Sequence, residues 1–429
     1  MLLIYSHTTS RRLQYTCSFI FSELLGTDFN ITIDSEEFIH YTGPKINYSD
    51  REFPGQGYWI QNHPLLFEET IIPQVIGCFP VNEHPAIFKM NSGDHPFDVF
   101  AASFYLLSRY EEYLPHTKDE YGRYGHENSL AFKEGFLKLP LINIWIKQLA
   151  EALQRKYSIL NLQYSIFSFL PTYDIDIAYS YKHKGLLRNI GGFFRSPSFE
   201  RLKVLFGMQP DPFDAYALMD QLHDQYQLKP MYFFLVAQSN AKYDKNILPH
   251  VDAMWKLVAQ HAKKYKAGIH PSWQSGDNPG MLKKEKEQLE AMTGSGNPIT
   301  ISRQHYIRFN LPEGYRRLIE AGITDDHSMG YGSINGFRAS VASSFYWYDL
   351  DKEEQTSLRI HPFCFMEANS FYELKQNASE TYNEMMHYLK VCRDVNGTMI
   401  TIWHNNFLGA AKEIKEWKEV YTRFIGEVQ

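Results

Sequence analysis

Cysteine is scarce in this sequence. There are four in 429 residues (Cys17, Cys78, Cys364 and Cys392), widely scattered and without a CxxC pair. Spacing therefore points to neither a disulfide framework nor a zinc ribbon, and the expected compartment is reducing and cytoplasmic. Long apolar runs are also missing, since no segment approaches the ~18 consecutive apolar residues of a membrane span. Met1–Tyr5 is apolar but too short for a signal peptide, and no small-residue cleavage site follows it. Basic residues are not in excess: 43 Lys and Arg stand against 49 Asp and Glu, a formal net charge of −6. A general nucleic-acid binder needs a basic face to neutralise phosphates, so that class is not expected. No GxGxxG follows the first strand-like run, which counts against dinucleotide binding. Internal repeats and low-complexity tracts are absent, and nothing in the sequence speaks to oligomeric state.

What the chain has in quantity is aromatic: 29 Tyr, 30 Phe and 7 Trp, or 15%. Composition alone leaves two readings open, core mass or flat platforms for sugar rings. Hydrophobic patterning divides the chain into two expected domains, residues 1–164 and residues 165–429. The first reads as a smaller α+β domain of unassigned role. It has a strand at Leu2–Tyr5, a helix at Ser10–Leu25 and two apolar helices at Phe97–Glu112 and Leu141–Lys156. The second alternates. Strand-like runs at Ile166–Tyr173, Met231–Ala237, Ala267–His270, Ile299–Phe309 and Thr398–Trp403 are separated by helical stretches. That alternation argues for parallel βαβ units, in a (β/α) barrel or, as the second choice, an open doubly wound sheet.

Barrel chemistry lies at the carboxyl ends of the strands. The first run ends in Thr172-Tyr173-Asp174-Ile175-Asp176, with both carboxylates on one side of an extended segment. The third ends in His270-Pro271-Ser272-Trp273, the next carries Arg303-Gln304-His305-Tyr306, and the last ends in Trp403-His404-Asn405-Asn406. Converging carboxylates and imidazoles suit metal-assisted hydrolysis. Such side chains bind zinc or another first-row divalent metal, and further Asp and His residues supply a base and an acid.

At these residues the chain resembles the polysaccharide deacetylases, the NodB-homology domain of carbohydrate esterase family 4, over roughly residues 167–409. The ordered set TYDID, GIHPSW, RQHY, AGITDD and TIWHNN carries the resemblance. It implies a distorted (β/α) barrel with one metal ion that removes an acetyl group, N-linked or O-linked, from a carbohydrate. It implies Asp174 as general base, Arg303 as its orienting partner and His404 as acid, with Asp176 and His270 as metal ligands. The family's second motif supplies another imidazole, but Gln274 stands four residues after His270 in this chain. His305 is the expected replacement, with a place lining the substrate cleft as the alternative. Trp273, Tyr306, Arg338 (in Gly336–Ala339, GFRA) and Trp403 are the expected substrate contacts. The front part, with FDVFAASFYLLSRYEEYLP, looks like a domain appended to such barrels in some bacterial polysaccharide-biosynthesis proteins.

Structural alternatives stand beside each of these readings. Asp174 and Asp176 could cap the next segment, His270 could hold a turn, and both tryptophans could be core. Two functional alternatives also remain: a metal-free barrel that binds glycans without catalysis, and an amidohydrolase acting on a non-sugar amide. Metal content and hydrolysis of acetylated sugars or cyclic ureides discriminate them.

Overall fold

Alternating apolar runs can bury both faces only if helices cover a sheet. The computed structural model, which describes residues 1–195 and 197–428, has this mixed α/β character. By internal contacts the chain divides into two units, neither of them continuous. Unit 1 is Met1–Ser168 with Gly336–Pro362 and Lys390–Thr398. Unit 2 is Phe169–Asn335 with Phe363–Leu389 and Met399–Gln429.

Unit 1 opens with β1 (Leu2–Ser6), α1 (Arg11–Cys17), β2 (Phe29–Thr32), α2 (Ser35–His40), β3 (Lys45–Tyr48) and β4 (Tyr58–Ile60). These strands form a sheet ordered β2-β1-β3-β4 in which every pairing is parallel. Unit 1 also holds antiparallel pairs, Phe79–Val81 with His84–Ala86 and Phe345–Asp349 with Glu354–Ile360, so it mixes parallel and antiparallel strands with helices. Strands of three to five residues show too little periodicity to reveal a parallel alternation in sequence. Two further helices pack this unit. α3 (Val99–Leu107) is buried on every side, and Asp98 caps it by accepting from the Phe100 and Ala101 amides. α4 (Leu141–Lys156) buries Leu141, Ile142, Trp145, Ile146, Leu149 and Leu153, an amphipathic stripe.

Unit 2 carries β5 (Ser168–Ile175), α5 (Leu186–Arg195), α6 (Phe199–Leu205), α7 (Tyr216–Gln225), β6 (Met231–Phe234), α8 (Asp252–Lys264) and β7 (Lys266–Ile269). After these come α9 (Pro279–Thr293), β8 (Ile301–Ser302), α10 (Glu313–Glu320), β9 (Asp325–Asp326) and β10 (Phe365–Met366). The remaining elements are α11 (Ala378–Asp394), β11 (Thr398–His404) and α12 (Lys415–Glu427). The seven strands neighbour one another in the order β9-β8-β7-β6-β5-β11-β10. Pairings from β9 through to β5, and of β10 with β11, are parallel. That order is consistent with a distorted barrel, although among the described residues no pairing joins β10 to β9 to close a ring. The helices bury one stripe each: Met254, Leu257, Val258 and His261 on α8, and Trp417, Val420, Tyr421 and Phe424 on α12.

One difference from the sequence reading decides where the chemistry lies. The long strand expected over Ile299–Phe309 stops at Ser302. Tyr306 and Ile307 both take left-handed backbone, with φ of 59° and 53°. A β-branched residue at positive φ is a strained conformation of the kind found at functional sites. The chain therefore leaves the sheet just after Arg303 and coils back with His305 in the turn.

Candidate metal centre

Three strand ends deliver ligating atoms to one place. Asp176 follows β5, His270 follows β7, and His305 sits in the turn after β8. One donor atom from each lies within 4.8 Å of the others. His270 Nε2 is 3.1 Å from Asp176 Oδ1, and His305 Nε2 is 3.3 Å from Asp176 Oδ2. Both imidazoles are buried and Asp176 is half-buried.

The ring nitrogens facing away from the cluster determine what faces into it. His270 Nδ1 lies 2.6 Å from the Arg303 carbonyl oxygen, which can only accept. Nδ1 therefore carries a proton, which leaves Nε2 as the ring atom turned to the cluster. His305 Nδ1 lies 3.0 Å from Asp244 Oδ1. Asp244 is fully buried and accepts from Nδ1–H, a carboxylate–histidine arrangement typical of metal-ligating imidazoles. Burial would lower the His305 pKa, but Asp176 and Asp244 raise it to about 9, so a metal ion would have to displace the Nε2 proton to bind there. Asp176 Oδ1 has no hydrogen-bond partner. Two imidazole Nε2 atoms and an unsatisfied carboxylate oxygen are the donor set of a divalent first-row ion, and this buried cluster can hold one. Burial alone would raise the Asp176 pKa. The imidazoles of His305, His404 and His270 outweigh it and hold the carboxyl well below its usual range.

Two further groups border the cluster. Asp174 is buried, with Oδ1 accepting from Arg303 Nη1 at 2.8 Å and Oδ2 lying 3.8 Å from His270 Nε2. Arg303 is itself fully buried. Its Nη1 also donates to Thr172 Oγ1 at 2.7 Å, its Nε donates to the His327 carbonyl at 3.0 Å, and its guanidinium lies 4.2 Å from the Phe233 ring centre. His404, at the end of β11, places Nε2 3.4 Å from Asp176 Oδ2. Its Nδ1 lies 2.6 Å from Glu367 Oε1, and its backbone N–H donates to the same oxygen at 2.8 Å. Burial would lower the His404 pKa, but Glu367 and Asp176 reverse this and raise it well above the usual value. The two carboxylates thus favour the protonated ring.

Of the expected substrate contacts, Tyr306 is 38% exposed and stands 4.7 Å from His305, ring centre to ring centre. Trp273 packs edge-on to Tyr306 at 5.6 Å and against Tyr243 at 4.1 Å. Two expectations are corrected. Trp403 is fully buried between Tyr421 and Phe365, because side chains alternate along β11 and His404 takes the opposite face. Arg338 lies in unit 1, 1% exposed, with Nε and Nη2 both donating to Glu112 at 2.8 and 2.6 Å, so it has no surface to offer a ligand. Gln274 does not act as a ligand; its amide donates to Asp244 Oδ2 at 3.3 Å.

Sequence reasoning passed over Asp244, Glu367 and Tyr243. Glu367 ends the short apolar run Phe363–Met366, a signal of the same kind as the others, but β10 is too brief to stand out as a strand. Asp244 and Tyr243 lie in a loop ten or so residues beyond the end of β6, in no motif.

Comparison with known proteins adds the following. A family described as "Family of unknown function (DUF7033)" matches residues 2–158. No curated protein matches the chain significantly. Among solved structures, the "Crystal structure of putative polysaccharide deacetylase from Mycobacterium smegmatis" superposes with a TM-score of 0.40 at 13% identity, covering 62% of this chain and 84% of that one. A 4-alpha-glucanotransferase from Thermococcus litoralis superposes with a TM-score of 0.34 at 14% identity, covering 61% of this chain and 37% of that one. Among the described residues, no helix is long and apolar enough to cross a membrane.

Proposed function

We propose that this protein is a metal-dependent hydrolase that removes an acetyl group, N-linked in the first instance, from a carbohydrate. The single observation carrying this reading is the Asp176–His270–His305 cluster with Asp174 and His404 at its border. When bound there, a divalent metal supplies Lewis-acid polarisation of a carbonyl and a lowered pKa for water. The rest of the chemistry falls to the chain. Asp174, held by Arg303 on one oxygen, keeps the other free to take a proton from water at the cluster. Arg303 holds the Asp174 carboxylate in place. His404, charged through Glu367, donates Nε2–H to the departing nitrogen. Tyr306 and Trp273 form an aromatic wall beside His305 that suits the apolar face of a sugar ring. The ordered motifs shared with the polysaccharide deacetylases support the choice of substrate class.

The test loads the purified chain with zinc, measures metal content by mass spectrometry, and follows acetate release from N-acetylated chito-oligosaccharides. One metal per chain is expected. Asp174→Asn should keep that metal while losing turnover by about 10²–10⁴-fold. Absence of stoichiometric metal would sink the metal assignment. Metal without acetate release, but with hydrolysis of allantoin, would move the substrate to a non-sugar amide.

A further inference from the structure

The segment between β5 and α7 has an unusual composition and exposure. Residues 181–208 contain α5 and α6, and several large apolar side chains among those described are exposed. Phe194 is 82% exposed, Phe199 84%, Phe206 77% and Met208 74%, with Ile190 and Leu205 at 44% and 43%. Three of the four exposed phenylalanines among the described residues fall in this one stretch. Single exposed apolar residues are ordinary, but six within nineteen positions of the sequence are not, and such a concentration suits a surface that meets something else.

Charge identifies the partner. The same 28 residues hold six lysines and arginines and a single acidic residue, Glu200, in a chain whose net charge is −6. Lys203 is exposed, and Lys182 and Lys184 are half-buried, whereas the guanidinium of Arg188 donates to the Asn246 and Lys245 carbonyls and that of Arg201 to the Asn189 carbonyl. Phenylalanine, isoleucine, leucine and methionine beside a local excess of cations is the composition of a helix pair lying in a bilayer interface. There the apolar side chains enter the headgroup boundary and the bases meet anionic lipid. α5 has 10 residues and α6 has 7, so neither spans a membrane and both can lie flat on one. A second copy of the chain suits this face less well, because apposing it on itself would bring the same cations together. The remainder of the acidic chain would be repelled by an anionic surface, so this segment alone would set the orientation of docking.

We propose that α5 and α6 dock this protein peripherally on an anionic phospholipid surface through Phe194, Phe199, Phe206 and Met208, with Lys203 contacting the headgroups. Docking does not depend on the catalytic reading. It bears on it only in that nine residues separate Asp176 from the first residue of α5.

The experiment is vesicle flotation of the full chain. It uses phosphatidylcholine vesicles containing phosphatidylglycerol, compared with pure phosphatidylcholine, at low and high salt. Binding is expected on the anionic vesicles only, weakening as salt rises. The double variant F199S/F206S should lose on the order of tenfold or more in partitioning, and the charge reversal K203E a comparable factor. Both should retain the wild-type melting temperature, because these side chains are exposed. F194W reports independently, through a blue shift of its emission on anionic vesicles. Equal binding to both vesicle types, no binding to either, or unchanged binding by both variants would overturn the proposal. So would a concentration-dependent dimer abolished by F199S/F206S, which would make the occupant a second copy.

Discussion

The Asp244 carboxylate accepts hydrogen bonds from three donors: His305 Nδ1 at 3.0 Å, the Trp273 backbone N–H at 2.9 Å and Gln274 Nε2 at 3.3 Å. Replacing it with Asn keeps the shape and leaves one oxygen for His305 and Trp273. The Gln274 amide can rotate to offer its own oxygen to the new NH2 group. The D244N variant therefore removes charge with little change in packing. Carboxylate partners of metal-ligating histidines are typically worth about 10–100-fold in metal affinity, or about 1.4–2.7 kcal/mol. D244A goes further and strands the Trp273 N–H and the His305 Nδ1–H in a buried site, at about 1–3 kcal/mol for each unsatisfied donor. D244N should therefore weaken zinc binding about 10–100-fold at nearly unchanged melting temperature, while D244A should lose both affinity and stability. Competition with a chromogenic chelator measures the first, and thermal denaturation of the metal-free chain measures the second. If D244N binds zinc as tightly as the wild type while H305A does not, the orienting role of Asp244 is refuted. If H305A also binds normally, His305 is not a ligand at all.

Three other outcomes follow from the packing. Trp403→Ala should cost about 3–5 kcal/mol in thermal or denaturant unfolding, as for a large core truncation, while zinc affinity is largely kept; a stable variant with raised KM would return Trp403 to the substrate site. Arg338→Met leaves Glu112, which is held down to about 2 by Arg338 and Arg109 against the cost of burial, with one guanidinium fewer. Unfolding should become easier by about 3–5 kcal/mol with KM unaltered, and a variant that is stable but binds substrate poorly would contradict the buried-pair account. His223 is buried among Tyr173 and Tyr265, and burial lowers its pKa to about 4. A histidine depressed in the fold contributes stability that is present above its unfolded value of about 6.5 and lost as pH falls through about 4, worth about 3 kcal/mol in all. Melting temperatures of wild type and H223Q between neutral and mildly acid pH should therefore converge as pH falls, and parallel curves would show that His223 is not the group responsible.

Much of the candidate site was legible because its signals are local. Asp174 lies on β5 and Asp176 directly follows its end, so a period of two is enough to suggest both on one side. The same rule separates Trp403 from His404, and applied there it would have excluded the tryptophan. Alternation also carried the parallel strands of unit 2, since apolar runs of several residues bounded by amphipathic helices are self-declaring. What could not be read is whatever depends on distant partners. Asp244 meets His305 across 61 positions and Arg338 meets Glu112 across 226. The front sheet takes its parallel order from pairings among strands of three to five residues, and residues 336–362 and 390–398 join a unit begun at Met1. The sequence by itself determined the stock of carboxylates, imidazoles and strand ends. Tertiary structure decided which of them share a donor cluster, which tautomer each histidine shows it, and which arginine is already bound to a carboxylate. Hydrogen-bond partners and desolvation are set by three-dimensional neighbours, not by position along the chain.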